Sequence, residues 1–346
     1  MKVCVLFGGA STEHDVSVVS GTSVIENLDK NKYEIYPVYI DKNNKFYKYT
    51  KDIHDIKMLT IDDEINELEL IDNIIEYLKE MDDVFPVLHG KYGEDGTIQG
   101  LLELLNIPYV GCKVLASSLC MDKIYTKKLL ESCNIKTSKY MYIKKYNDNY
   151  LYFDNEFNEL MLSKNELINR VEEYLNFPVF VKPSRSGSSV GVAESNKDNL
   201  IKNIDEAFKY DNKVLIEEKI MGRELEVAVL GNDKLDVSIP GEINNNSFYT
   251  YESKYIDKTG VIIPANINNN IQEKIKNIAY KAYKICDCSG LSRIDFFLDK
   301  DNNLILNEIN TMPGFTSISM YPKLMHNYGY SYSKLLDKLI DLTINN

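Results

Sequence analysis

Residues 293–319 read RIDFFLDKDNNLILNEINTMPGFTSIS, and the fold turns on this stretch. Ile294, Phe296 and Leu298 alternate with Asp295, Phe297 and Asp299, and DKDNN (299–303) supplies turn residues. In the segment that follows, Leu304, Leu306, Glu308 and Asn310 are expected to share one side. Period-two alternation on both sides of a turn predicts a β-hairpin. Asp295 and Glu308 then lie on neighbouring strands, with Asn310 two residues further on, so that all three face one point. Two carboxylates and an amide oxygen are hard ligands suited to Mg²⁺ carrying phosphate oxygens. Taken alone, the stretch also fits a solvated acidic hairpin. Thr311 to Ser319, with Pro313 and Gly314, reads as a loop lining the same cavity.

The chain of 346 residues is long enough for two or three packed domains, because single cores seldom grow beyond ~250 residues before a chain splits. Charged residues make up 27% and the formal charge is -12. Such a balance fits a soluble globular protein without general attraction for nucleic acid or anionic lipid, and leaves room for a locally basic, anion-binding cavity. No apolar run approaches the ~18 residues of a membrane span. MKVCVLFGG (1–9) reads as a first strand, not a signal peptide. A cytoplasmic protein with neither a membrane nor a nucleic-acid partner is expected. The six cysteines lack zinc-ribbon spacing, and Cys286-Asp287-Cys288 has no second pair or histidine beside it. Free thiols in a reducing compartment are expected.

Lys2 to Phe7 is an apolar strand, followed by Gly8, Gly9 and STEHDVS (11–17), and Val16, Val19, Val24, Ile25 and Leu28 carry helical spacing. A strand, glycine turn and helix start converge backbone N–H groups on an anion. The third glycine of a dinucleotide fingerprint and the GK[ST] of a P-loop are both missing. Residues 33–40 form a second strand, and 45–70 a weakly patterned elaboration. The strand at 84–88 delivers His89 into HGKYGEDGT (89–97), where open parallel sheets collect ligands. The alternative is a histidine that merely satisfies its loop. A helix at 98–105 and a strand at 107–110 complete an N-terminal α/β domain with a parallel sheet, ending near Cys112.

Residues 116–131 form one helical pattern that carries Asp122, Lys123, Lys127 and Lys128. A short strand follows at 140–143, then an insertion without readable structure at 146–163 and a helix at 165–175. The strand at 177–183 presents Lys182 to SRSGSSVGV (184–192), a loop able to fold over phosphates with backbone N–H and hydroxyl donors. The lysine's point charge reaches the same anion. An ordinary surface turn is the alternative. Beyond a helix at 199–208 and a strand at 214–217, EEKI (217–220) and Glu224 fit an edge that reads adenine and a carboxylate for ribose. Residues 237–240 continue that sheet. The polar and aromatic stretch 241–260, with Tyr249, Tyr251, Lys254 and Tyr255, reads as a lid or a disordered loop, and its Tyr and Lys content favours a lid. Helices are expected at 271–286 and 331–342.

Six segments carry a resemblance. LFGGASTEHDVS (6–17), LHGKYGEDGTIQG (88–100), KPSRSGSSVGV (182–192), EEKIMGRELEVAVLG (217–231), SRIDFF (292–297) and NEINTMPGFTSIS (307–319) together resemble the D-alanine–D-alanine ligase family of the ATP-grasp superfamily. The likeness runs from end to end with the motifs in order. It implies an α/β, three-domain ATP-grasp fold: an N-terminal parallel-sheet domain (1–112) on the side of the first D-alanine, a central subdomain with the phosphate loop (113–213), and a C-terminal subdomain with the lid and metal hairpin (214–346). It also implies ATP, two Mg²⁺ ions with Mn²⁺ as a substitute, a monovalent cation, D-alanine as both substrates, a homodimer, and a cytoplasmic role in peptidoglycan precursor synthesis.

Individual roles follow from the same resemblance. Lys123 and Lys182 match the lysines on ATP phosphates, and Ser184 to Gly191, including Ser188 and Ser189, match the closing loop. Glu217, Glu218 and Ile220 match the adenine-reading segment, although the family often has lysine where Glu218 stands, and Glu224 matches the ribose carboxylate. Asp295, Glu308 and Asn310 match the metal ligands, with Glu308 bridging two ions. Glu13 resembles the carboxylate that holds the first ammonium, and His89 lies near the first substrate with Glu94 in its loop. Arg293 and the Gly314 backbone face the acyl phosphate and oxyanion, while Ser317 and Ser319 receive the second carboxylate. Lys254 and Tyr255 match lid residues, Tyr255 reaching toward Glu13 and Ser188. No covalent protein nucleophile is implied. The near rivals are D-alanine–D-serine and D-alanine–D-lactate ligation. Met320, in SMYP (319–322), stands where the serine branch tends to place arginine, and Tyr255 retains the lid tyrosine that the lactate branch remodels. More distant rivals are another ATP-grasp carboxylate–amine ligase and a non-catalytic nucleotide-responsive scaffold. The intact Asp295, Glu308, Asn310, Lys123 and Lys182 weigh against the scaffold.

Overall fold

The first strand, β1 (Lys2–Gly8), is apolar and buried along almost its whole length. That pattern suits a parallel strand covered on both faces. The computed structural model describes residues 1–53, 67–154, 158–243, 260–316 and 318–344. After β1 come α1 (His14–Asn27), β2 (Glu34–Ile40), β3 (Phe46–Tyr49), β4 (Leu68–Leu70), α2 (Ile74–Lys79), β5 (Asp83–Val87) and α3 (Thr97–Leu104). They build a sheet of order β4-β3-β2-β1-β5. β1 runs parallel to β2 and β5, and β3 and β4 add an antiparallel edge. The weakly patterned stretch 45–70 therefore contributes two strands, while its residues 54–66 lie outside those described. The strand expected at 107–110 is reduced to one bridge between Tyr109 and Val84. Val84 N–H bonds Pro108 and Val110 N–H bonds Val84, but Pro86 has no N–H with which to continue the ladder.

The middle of the chain holds α4 (Val114–Met121), α5 (Lys123–Ser132), β6 (Tyr140–Tyr146), β7 (Asn149–Phe153), β8 (Glu159–Leu162), α6 (Lys164–Tyr174), β9 (Val179–Pro183), β10 (Ala193–Ser195), α7 (Leu200–Ala207) and β11 (Lys213–Glu218). The single helix expected over 116–131 is two helices. Asp122 leaves the helical region at φ -90, ψ 97, and its carboxylate accepts from Ile124 N–H at 3.2 Å. An aspartate cap satisfies donors that a helix start leaves orphaned. The unread insertion at 146–163 is a hairpin extension, β7 and β8, entered through Asn147 at φ 51 in a two-residue turn. The sheet order is β10-β9-β11-β6-β7-β8. Val214 and Ile216 of β11 pack with Val179, Val181, Leu167 and Ile204 beneath α6 and α7. Period-two geometry turns Lys213, Leu215 and Glu217 to the opposite face.

The last part comprises β12 (Gly222–Leu230), β13 (Asp236–Val237), β14 (Gly241–Ile243), β15 (Val261–Ile262), α8 (Asn269–Ile285), β16 (Leu291–Asp299), β17 (Leu304–Asn310), α9 (Met320–Tyr328) and α10 (Tyr332–Ile344). The order is β15-β14-β12-β16-β17, with β13 beside β12. On α8, Ile271, Ile275, Ala279, Ala282 and Tyr283 make one apolar stripe, which buries Ile294, Phe296 and Leu298 of β16. The hairpin pairs Arg293 with Asn310 and Asp295 with Glu308, then shifts so that Phe296 faces Leu306. Asn307 is thus the extra residue of a β-bulge. This corrects the expected alternation: Leu304 and Leu306 join Phe296 in the core, while Glu308 and Asn310 share the other face with Arg293 and Asp295. The helix α9 was hidden by its short length and by Pro322, which the first turn of a helix tolerates. Finally, α10 places Leu335, Leu336, Leu339 and Ile340 in one core with Val3, Val5, Phe85 and Phe315. No helix among the described residues is long and apolar enough to cross a membrane.

Candidate active site

The open face of the hairpin carries the most concentrated charge. Arg293 donates through Nε to Asp295 Oδ1 at 2.8 Å and through Nη2 to Oδ2 at 2.7 Å, and its Nε stands 2.9 Å from Glu226 Oε2. Burial opposes this charge, but Asp295 and Glu226 hold the guanidinium protonated. Asn310 Nδ2 donates to Asp295 at 3.0 Å, and Lys123 Nζ lies 3.8 Å from Glu308. The structure therefore brings Asp295, Glu308 and Asn310 onto one face. No group of three His, Cys, Asp or Glu with metal-holding geometry exists among the described residues, so the fit depends on counting the Asn310 amide oxygen. Two carboxylates with one amide oxygen suit a hard divalent cation.

Glu13 stands at the start of α1, where three segments meet. Ser188 Oγ donates to its carboxylate. Gly90 and Gly187 approach so closely that a Cβ on either would collide with Glu13 Oε2. Positive φ at Gly90, Ser188 and Ser189 shapes the two loops that close on it. His89 sits just behind, with Nδ1 donating to the Met312 carbonyl at 3.0 Å and Nε2 3.3 Å from Ser20 Oγ. Burial lowers its pKa to about 4, against the raising effect of the Met312 carbonyl, so the ring is neutral at pH 7. Glu94 is buried beside it and accepts from Gly90 N–H at 2.8 Å and Met312 N–H at 3.1 Å. Burial, then the charge of Glu13, raises its pKa to about 8. Both side chains hold the Met312 loop in place and line the cavity.

Behind the phosphate loop, Lys182 and Lys127 converge on Glu217 at 2.5 and 2.7 Å. Burial alone would raise the Glu217 carboxyl, but the two lysines hold it well below the usual carboxylate range. The Glu217 side chain is thus committed to a lysine clamp, which differs from the adenine-reading role expected of it. Likewise Glu218 accepts from Lys139 N–H at 2.7 Å, and the buried Ser184 hydroxyl donates to Asp122 at 2.7 Å. Asp122 also pairs with Lys213. Lys123 Nζ donates to the Ser186 carbonyl at 2.7 Å, and Arg185 anchors the loop base on Asp211. Ile220 precedes β12, and Glu224 lies on that strand opposite Phe297. Ser319 bonds Thr316 at the start of α9. Lys254, Tyr255 and Ser317 lie outside the described residues.

A cavity of about 70 Å³ joins these groups, with Glu13, His89, Ser188, Arg293, Glu308 and Gly314 in its wall. Lys182, Glu224 and Ser319 do not line it. Sequence reasoning named Asp122 and Lys127 without giving them a role and passed over Glu226. For Asp122 a signal existed, since aspartate ahead of an apolar-periodic run is a cap residue. Nothing local announced the other two.

Residues 2–112 match the profile described as D-ala D-ala ligase N-terminus, and residues 129–341 match D-ala D-ala ligase C-terminus. The chain belongs to the D-Ala-D-Ala ligase family. D-alanine–D-alanine ligase B of Clostridium tetani is 50% identical, with 100% of this chain and 94% of the relative covered. The D-alanine–D-alanine ligase of Caldicellulosiruptor bescii is 48% identical over 99% and 95%. Among solved structures, the VanG D-Ala:D-Ser ligase of Enterococcus faecalis superposes with a TM-score of 0.84 at 38% identity, covering 99% of both chains. The D-alanine-D-alanine ligase of Coxiella burnetii gives 0.80 at 32%, covering 100% of this chain and 94% of the other. The three sheets described above are the ATP-grasp fold, and D-Ala-D-Ala ligases use ATP with metal ions.

Proposed function

We propose that this chain joins two D-alanine molecules into D-alanyl-D-alanine with cleavage of ATP to ADP and phosphate, as a cytoplasmic homodimer that supplies peptidoglycan precursors. The observation that carries the reading is the meeting, in one cavity, of the Glu13 carboxylate with Arg293, Glu308 and Asn310. We take the units 1–112, 113–213 and 214–346 as the three domains, with the second boundary falling inside β11 (Lys213–Glu218), a strand of the central sheet.

Glu13 would hold the ammonium of the first D-alanine, with Ser188 giving up its present bond to close over the nucleotide. A carboxylate is a poor acyl donor, so the first D-alanine carboxylate attacks the γ-phosphoryl of ATP, forming D-alanyl phosphate and releasing ADP. Lys123 and Lys182 hold charge on the phosphates as that bond breaks. Asp295, Glu308 and Asn310 would hold two Mg²⁺ ions, or Mn²⁺ in their place, which neutralise phosphate oxygens. The neutral amine of the second D-alanine then attacks the acyl carbon, and phosphate leaves. Arg293 and the Gly314 N–H are the donors for the tetrahedral oxyanion. The lid assignment of Lys254 and Tyr255 rests on the sequence, and closure would keep water from the acyl phosphate.

Mass-resolved product analysis with ATP and Mg²⁺ tests the reading, first with D-alanine alone and then with equal D-alanine, D-serine and D-lactate. Predominant D-Ala-D-Ala supports it. A predominant mixed product, in line with the likeness to the VanG enzyme, would reassign the second pocket around Met320. Absence of any product would point to another amine acceptor. In the same assay Glu308→Gln is expected to lose nearly all Mg²⁺-dependent ADP formation while keeping its fold, and unchanged turnover would remove the metal assignment.

A further inference from the structure

Four buried thiols gather behind one wall of the catalytic cavity. Cys120, near the end of α4, lines the cavity. It shares one buried core with Cys286 and Cys288, which follow the end of α8, and with Cys112. The Cys112 S–H is directed to the carbonyls of Ser289, the residue after Cys288, and of Leu291, at 3.3 and 3.4 Å. All six cysteines are free, and Cys133 alone among them is exposed. Buried cysteines often serve only as small hydrophobes. A line of thiols running inward from a cavity wall is also the arrangement of a reactive sulfur with a resolving partner. Among the described residues no cysteine group has metal-holding geometry. The neighbouring Cys286 and Cys288 thiols lower the Cys120 pKa against the raising effect of burial, while their own are raised. Of these sulfurs Cys120 is the one in the cavity wall, and so the one that a small oxidant entering the cavity meets first.

We propose that Cys120 is an oxidant-reactive site in the cavity wall, which peroxide converts through a sulfenic acid to a disulfide with Cys286 or Cys288, and that this link switches ligation off. The Cys120 thiolate attacks one oxygen of hydrogen peroxide and breaks the O–O bond. Cys120 becomes a sulfenic acid, and the departing hydroxide takes up the proton lost by the thiol and leaves as water. The resolving thiol then gives up its proton and displaces the sulfenic hydroxyl, which leaves with that proton as a second water. One S–S bond forms, each sulfur gives up one electron, and peroxide takes two. An S–S bond of about 2.05 Å is shorter than any thiol contact, so Cys120 is drawn inward. Cys120 stands two residues before Asp122, the cap of the helix that opens with Lys123. The link therefore moves a lysine that faces Glu308. The effect on ligation rests on the function proposed above, whereas the disulfide itself does not.

The experiment treats the whole protein with graded hydrogen peroxide, maps cross-links by non-reducing peptide mass spectrometry, and assays product before and after a thiol reductant. A Cys120–Cys286 or Cys120–Cys288 link is expected, with loss of most activity, recovery on reduction, and protection by ATP with Mg²⁺. The Cys286→Ser/Cys288→Ser double variant should stop at a Cys120 sulfenic acid that dimedone traps. Absence of any link among these three cysteines, or equal fractional inactivation in Cys120→Ser and the unaltered protein, would overturn the site. A link that leaves activity intact would overturn the switch. A link in a protein that makes no D-Ala-D-Ala before or after reduction would keep the thiol site and reject the proposed function.

Discussion

Glu217 is 3% exposed and stands between two lysine ammonium groups. Glu217→Gln should cost about 3–5 kcal/mol, because removing one member of a buried ionic cluster leaves the others uncompensated. An unfolding free energy from denaturant titration within about 1 kcal/mol of the parent would mean that Lys127 and Lys182 find other partners. His89 works through the proton it refuses. Its folded pKa of about 4 lies below the ordinary histidine value of 6.5, so the unfolded chain protonates first as pH falls. Stability is therefore lost between pH 6.5 and 4, by about 3 kcal/mol in all. Thermal melts of His89→Gln should show a flatter profile over that window, and parallel profiles would discard the assignment. Glu94 slopes the other way: its folded pKa is raised from 4.5 to about 8, so the stability of its protonated form is lost as pH rises through that range.

Among the elements, the junction of α4 and α5 ties the most groups together. Asp122 caps α5, accepts from Ser184 Oγ, and pairs with Lys213. Asp122→Ala should cost about 1–2 kcal/mol through the cap alone, and more through the stranded Lys213 ammonium. Because α5 opens with Lys123, we also expect KM for ATP to rise by a larger factor than kcat falls. Lower stability with an unchanged KM would confine Asp122 to a structural role. The β16–β17 hairpin teaches a related lesson. Its strands and its turn were legible, but the bulge at Asn307 decided which side chains face the cavity.

For the molecule as a whole, the last helix is the fastening. α10 covers α1 and β5, and its leucines share a core with Phe315 of the catalytic loop. His89 and Glu94 reach across from the N-terminal sheet to the Met312 backbone. A chain ending at Ser331 should therefore lose cooperative unfolding of the N-terminal sheet and aggregate, because it exposes Val24, Ile25 and Phe85. A truncated protein that stays monodisperse and melts like the parent would show that α10 is dispensable.

Local pattern was enough wherever the physics is local. Apolar runs, period-two alternation and glycine turns located β1, α1, β5, β9 and the β16–β17 hairpin, and hard-ligand chemistry picked out Asp295, Glu308 and Asn310. The order of the motifs led to the family. Other features depended on partners distant in sequence. Pro86 ended a ladder that 107–110 alone would continue. The buried Lys127 and the partly buried Lys182 took up the Glu217 carboxylate, and Asp295 and Glu226 fixed Arg293. Cys286 and Cys288 share a core with Cys120 only through the packing of segments far apart in the chain. A residue's type and spacing determine which groups it is able to bind and which face of its own element it occupies. Which of those groups it actually meets, and whether burial leaves it charged, is decided by the packing of elements far apart in the chain, and tertiary structure alone settles that.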